Sequence, residues 1–317
     1  MDPICHTLVG ATLAETGLKR RTALGAATLI IGANLPDLDI LTYVDSGVTA
    51  LWFRRGVTHG LPAVVLLPLL LTGGMLAWDR LVRRRGRPPP VHVAPLQILL
   101  LAFIAVVTHP VLDFMNTYGM RWLMPFSDAW YYGDTLFIVD PWIWAVLVAG
   151  IYLARKRPSA PVRRFLRSPA AASLGALALY IAAMATSNVV ARSLVTRSLL
   201  EAGYDSPARL MVAPRPVTPF RRWVVIQDGE LYRFGTFHWF RRPQFDLEGY
   251  TYERHPSTPA AAVATRGPRV RKFLSWARFP YSIVEERTDR YLIHVGDARY
   301  TVDPEASWAA ITVEVEK

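Results

Sequence analysis

His109 and Asp113 stand four residues apart in the stretch THPVLDFMNTYG, Thr108 to Gly119. On a helix the imidazole and the carboxylate would point the same way, one turn apart, as a ready pair of metal ligands. The stretch closes an apolar run, Ala94 to Leu112, that is about long enough to cross a bilayer. Ionisable groups at the end of a membrane helix are costly to bury, so they default to a functional reading. Taken alone, the pair is equally consistent with a helix C-terminus whose side chains bond locally.

Other residues of the same chemical kind follow a pattern. Asp37 and Asp39 come after Pro36, at a helix-terminating turn, close enough to bind one ion or bridge two. The competing role for one of them is an Asx-turn or cap. His59 sits just before an apolar run in RRGVTHG, and His6 lies on an apolar stretch in PICHTL. Asn116, Asp134 and Asp140 fit groups that orient the histidines, although Asp140-Pro141 reads equally as a helix start. Arg54 and Arg55 would either clamp an anionic substrate at the pocket mouth or snorkel to the interface. His92, His238, His255 and His294 have no partner pattern. Cys5 reads as packing, with thiolate ligation left open by its place beside His6, and as the single cysteine it excludes an intramolecular disulfide.

The elements that must position these groups are membrane-like. The 317 residues are 52% hydrophobic, with a mean hydropathy of +0.21, high for a soluble protein. Residues 3–18 and 22–35 read as two short helices, neither an ordinary span, that would pack as a hairpin penetrating most of the bilayer. Leu61–Trp78, Ala94–Leu112, Leu136–Ala154 and Pro169–Val190 read as four spanning helices. From about residue 191 the texture changes. Asp228-Gly229-Glu230 between alternating runs signals a hairpin, and Tyr291–Val295 and Ala309–Val315 also alternate. The expected architecture is a polytopic α-helical domain, residues 1–190, followed by a small soluble β-rich domain, residues 191–317. No charged region precedes the first apolar stretch and no small-residue cleavage site follows it, so it does not read as a removable signal peptide.

The net charge of +11 could suggest nucleic acid, but its distribution argues against that partner. Basic residues cluster at Lys19–Arg21, Arg80–Arg87 and Arg155–Arg167, each between apolar runs, which is the footprint of the positive-inside rule. In the first 190 residues these loops hold 14 Lys or Arg and one acid, Asp79. The other side holds three Arg (Arg54, Arg55, Arg121) and eight acids (Asp2, Asp37, Asp39, Asp45, Asp113, Asp128, Asp134, Asp140). Acids contribute little to topology itself. Their gathering with His6, His59 and His109 at one membrane boundary therefore points to a bound cation. With the basic loops inside, Pro169–Val190 delivers the β domain to the outer, periplasmic side.

Four motifs in order carry a resemblance: MDPICH at the N-terminus, LPDLD at Leu35–Asp39, RGVTH at Arg55–His59, and Thr108–Gly119. Together they resemble the YdjM/YfhP-like family of LexA-binding, inner-membrane-associated proteins assigned as metal-dependent hydrolases. Phe126-Ser127 and Asp140-Pro141 fit its longer, YfhP-type members. The resemblance covers about the first 190 residues. It implies a bacterial cytoplasmic membrane and, through a distant similarity of the family to zinc-dependent phospholipase C, His/Asp metal ligands and phosphoester hydrolysis. Two departures stand out: many members carry histidine where this chain has Arg54, and some where it has Ile40.

The expectation is a membrane-embedded metal-dependent hydrolase acting at the outer face of the cytoplasmic membrane on a phosphoester or lipid substrate. One or two divalent ions, zinc first among them, would be held by His6, Asp37, Asp39, His59, His109 and Asp113. Asp37, Asp39 and His59 are the candidates for catalysis, one Asp being left free as general base. The rival class is a non-catalytic metal-binding membrane scaffold or a transporter. A transporter should carry polar groups at mid-membrane, whereas here they crowd one end of clean spans.

Overall fold

The computed structural model describes residues 1–85, 92–156, 168–254, 258–303, 306 and 308–317. Arg87, residues 157–167 of the basic linker, and His255 lie outside them. The helices in chain order are α1 (Pro3–Glu15), α2 (Gly25–Asn34), α3 (Gly47–Phe53), α4 (Leu61–Trp78), α5 (Pro95–Phe114), α6 (Pro141–Lys156), α7 (Pro169–Glu201), α8 (Pro259–Arg266) and α9 (Pro268–Trp276). The strands are β1 (Arg209–Pro214), β2 (Arg221–Asp228), β3 (Leu231–His238), β4 (Phe245–Glu253), β5 (Pro280–Glu286), β6 (Arg290–Asp297) and β7 (Ala310–Glu316). The chain divides into two compact units: Met1–Ile40 with Arg54–Ala185, and Leu41–Phe53 with Thr186–Lys317.

The first unit is helical. Asp2 caps α1 through Cys5 N at 3.0 Å, and Pro3 pre-sets its first turn. Short helices gain stability here from close backbone approach. A Cβ at Gly10 of α1 would lie 2.6 Å from Leu29 O of α2, and one at Gly32 of α2 would lie 2.9 Å from Ala105 Cβ of α5. Small residues at such crossings are how helices associate where lipid supplies no hydrophobic drive. On α5, Ile98, Leu101, Ala102, Ala105, Val106, His109, Leu112 and Asp113 form one buried stripe at helical spacing. Leu96, Leu100, Phe103, Ile104 and Val111 are exposed. An apolar exposed face opposite a buried one that ends in His and Asp is the pattern of a helix between lipid and a polar site.

Among the described residues, three helical stretches are long and apolar enough to cross a membrane: Leu61–Arg83, Pro95–Phe114 and Pro169–Glu201. The expected fourth, Leu136–Ala154, begins only at Pro141, because Asp140 Oδ1 accepts from Trp142 N and Ile143 N and so fixes the helix start; it is 16 residues long. The described basic residues of the three clusters gather at one end of this unit. Ala23 N donates to His92 O and Ala94 N to Thr22 Oγ1, which ties the turn after Lys19–Arg21 to the start of α5. Glu15 at the end of α1 pairs with both Lys19 and Arg155. Arg83 and Arg84 pair with Asp79 at the end of α4.

The second unit is β-rich. Its sheets are antiparallel, β1-β2-β3-β4 and β5-β6-β7. Period-two alternation assigns the two faces of the first sheet. Leu210, Val212, Val224 and Ile226 pack on Ala191, Val195 and Leu199 of α7. Their neighbours Met211, Ala213 and Val225 pack instead with Phe279 and Tyr281 of the second sheet's region. The expected Asp-Gly hairpin forms: Asp228 pairs with Leu231 and Gly229 takes a φ of +56°. Residues 41–53 also belong to this unit, α3 packing on α9 with Lys272 Nζ 3.2 Å from Thr49 Oγ1.

Candidate metal centre

The site is assembled from four short segments of the first unit, at the end opposite the basic turns. The C-terminal turn of α5 supplies His109 and Asp113. The 3₁₀ segment Leu35–Val44, which Pro36 forces out of α2, supplies Asp37 and Asp39. The turn before α4 supplies Arg54, Arg55, Thr58 and His59, and α1 supplies His6. Residues 115–136 close over the end of α5: Thr135 N and Leu136 N both donate to Met115 O, at 2.8 and 2.9 Å.

Asp37, His59, His109 and Asp113 each offer one ligand atom, all within 4.8 Å of one another. Both imidazoles have their outward nitrogen engaged. His109 Nδ1 donates to Ala33 O at 2.7 Å, since a carbonyl can only accept. His59 Nδ1 lies 3.3 Å from Asp39 Oδ2 and 3.0 Å from Thr58 Oγ1. With both Nδ1 atoms protonated, the two Nε2 atoms present lone pairs to each other at 3.1 Å. Two facing lone pairs at that distance repel unless a cation lies against both. Asp113 Oδ2 is 3.4 Å from His59 Nε2 and 3.6 Å from His109 Nε2, and Asp37 Oδ1 is 3.8 Å from His109 Nε2. The edge of a tetrahedron with ~2.0–2.2 Å ligand bonds is ~3.3–3.6 Å. The donor set, two nitrogens and two carboxylate oxygens, therefore fits a divalent ion in type, and these four separations, 3.1–3.8 Å, lie near that edge. Asp37 Oδ2 is buried and receives no hydrogen bond from the described residues, as a free ligand oxygen would be, whereas Asp113 Oδ2 also faces the Arg55 guanidinium.

The remaining charges frame these four. Arg55 is 2% exposed; its Nε lies 2.9 Å from Asp113 Oδ2, its Nη1 donates to Asn116 Oδ1 at 2.7 Å, and its guanidinium covers the Tyr118 ring. Asn116 Oδ1 also accepts from Tyr118 N. Arg54 spans Asp37 and Asp39, at 3.1 and 3.4 Å. Asp39 Oδ2 accepts from Arg55 N at 2.9 Å and Thr58 Oγ1 at 3.0 Å. Burial lowers the His59 pKa against the opposing pull of Asp39, which keeps the ring neutral as a ligand must be. Burial would raise the Asp39 pKa, but the contacts from His59, Arg55 N and Arg54 outweigh it and hold the carboxylate ionised.

His6 belongs to the cluster by a different contact. Its ring stacks on His109, with centroids 3.7 Å apart, and its Nε2 lies 3.2 Å from Asp113 Oδ1, where the Met1 amine also sits. Asp134 is buried nearby in chain terms, at a left-handed φ of 48° after Gly133, whose missing side chain leaves room for Phe114 O. Asp140 caps α6 and accepts from Tyr180 OH. Thr58 and the Ala33 carbonyl, which orient the two ring nitrogens, were not visible as site groups in the sequence. Only the Thr-His adjacency hinted at the former.

The cluster draws on each of the four sequence motifs. The description "YdjM inner membrane protein" matches residues 1–192. The protein YfhP of Bacillus subtilis (strain 168) is 22% identical over 316 residues, covering 95% of this chain and 87% of that one. No solved structure matches the chain. A match across the whole first unit and the entire ligand cluster settles the family: the chain belongs to that of the YdjM inner membrane protein.

Proposed function

We propose that the protein is a metal-dependent hydrolase acting at the outer face of the cytoplasmic membrane, on an amphiphilic phosphoester such as a phospholipid. The observation that carries this reading is the pair of oriented imidazoles whose Nε2 atoms face each other at 3.1 Å, flanked by two carboxylates. His59, His109 and Asp113, with side chains 0% exposed, would hold the ion. Asp37, 11% exposed, stands at the open edge, as the fourth ligand or as the base that takes a proton from water. Zinc is the metal this donor set suits best, and when bound it lowers the pKa of a water and polarises the scissile group. Asp39 orients His59, and His6 positions Asp113 from its other oxygen. Arg54, between Asp37 and Asp39 and one-fifth exposed, is placed to meet an anionic ester at the edge.

Sidedness supports the location. The ligand cluster and the described basic residues occupy opposite ends of the helical unit, so the positive-inside rule favours an outer position for the cluster. In this topology α6 is the fourth spanning helix, α1 and α2 form a short hairpin, and α7 carries the β domain outward. A non-catalytic metal scaffold is the second reading, favoured by the count of donors: four protein ligands close a tetrahedral site. Asp37→Asn separates the two. Metal content and hydrolysis of phosphatidyl and nitrophenyl phosphoesters are measured on detergent-purified protein. Hydrolysis that falls at least tenfold with metal retained supports the hydrolase. Loss of metal with no hydrolysis by the wild type, with or without added zinc, supports the scaffold.

A further inference from the structure

We propose that the β-rich unit carries a separate binding pocket for a phosphate monoester bearing an apolar group. A cavity of about 540 Å³ lies between residues 43–51, the first turns of α9 and the start of β7. Two cations, Arg269 and Lys272, line it, and no described carboxylate does. They stand three residues apart on α9, so they share one face of the helix. The buried face of α9 is set by Val270, Phe273 and Trp276. Among the described residues, Lys272 meets neutral partners, Thr49 Oγ1 at 3.2 Å and the Trp52 ring at 5.8 Å. Arg269 is exposed and makes no ion pair with a described residue. Two neighbouring cations with no counter-charge among the described residues, at the rim of a cavity, are an anion site of about two charges.

The rest of the lining says what the anion is attached to. Val48, Leu51 and Ile311 form an apolar floor, each no more than 7% exposed, while the Trp308 and Tyr43 rings stand at the rim, 45% and 43% exposed. The volume falls in the range of small-molecule sites and exceeds what a bare phosphate needs. Charged rim, aromatic edge and apolar floor together fit an ester whose head is phosphate and whose body is apolar. That chemistry is shared by a phosphatidate lipid and by a soluble phosphate ester. The pocket is independent of the metal cluster, none of whose residues lines it.

The test is calorimetric titration of the full chain in detergent with dihexanoyl phosphatidate, phenyl phosphate and dihexanoyl phosphatidylcholine, the last without net charge. One phosphatidate or phenyl phosphate per chain is expected, weakened about tenfold by Arg269→Gln and further by adding Lys272→Gln. Arg269 is exposed, so Arg269→Gln should keep the wild-type unfolding midpoint and metal content. Tighter binding of phosphatidate identifies a lipid headgroup as the source, and equal binding a soluble ester. Saturable binding of phosphatidylcholine at the same affinity, unchanged affinity in Arg269→Gln and the double variant, or no binding of either phosphate ester overturns the proposal.

Discussion

Asp39→Asn tests whether the site depends on orientation as well as ligation. Asp39 Oδ2 receives Arg55 N at 2.9 Å and Thr58 Oγ1 at 3.0 Å, with His59 Nδ1 at 3.3 Å. An asparagine oxygen in the same place keeps all three acceptor contacts. What changes is the charge, together with an amide nitrogen placed where Asp39 Oδ1 now faces Arg54 Nε at 3.4 Å, so that donor meets donor. A hydrogen bond to a charged acceptor contributes about 1.5–3 kcal/mol against about 0.5–1.5 for a neutral one. The imidazole therefore loses about 1–2 kcal/mol of support, or a factor of about 5–30 in metal affinity. That agrees with the ~10–100-fold usual for an outer partner of a ligating histidine. The assay is competition between the purified protein and a chromophoric zinc chelator, with His109→Ala as the ligand-loss reference. Asp39→Asn should retain metal that His109→Ala does not. Equal loss in the two would make Asp39 a ligand, and unchanged affinity would mean that its contact orients nothing; either result refutes the reasoning.

Gly32→Val puts a side chain where α2 meets α5, with its Cβ 2.9 Å from that of Ala105. Overpacking of this kind costs about 1–3 kcal/mol. Because the neighbouring Ala33 carbonyl fixes His109 Nδ1, metal affinity should fall along with the thermal midpoint, and a midpoint loss with unchanged metal affinity would show that the helix crossing does not set the site. C-terminal fusions report the side of the β domain: alkaline phosphatase should be active there and green fluorescent protein dark, and the reverse pair would place the domain inside.

Residue chemistry and periodicity carried much of this protein. His109 and Asp113 announce themselves because an i, i+4 pair on an apolar helix has to share a face, and that face is the buried stripe of α5. The Asp228-Gly229 hairpin was legible for an equally local reason, since only certain residues take its backbone angles. The gathering of carboxylates away from the basic loops came from counting charge along the chain. What stayed hidden depends on contacts between segments far apart in sequence. Arg55 reads as a clamp at the pocket mouth or a side chain snorkelling to the interface, yet it is buried between Asp113 and Asn116. Asp37 and Asp39 look equivalent by spacing, but the 3₁₀ path after Pro36 turns Asp37 toward His109 and Asp39 toward His59 Nδ1 and Arg55 N. The tautomers of both ring nitrogens, hence the lone pairs that make the cluster a metal site, are decided by a backbone carbonyl and a carboxylate brought in by the fold. Nor does any local pattern assign residues 41–53 to the β-rich unit, because α3 is a short apolar helix whose partner, α9, lies more than two hundred residues along the chain.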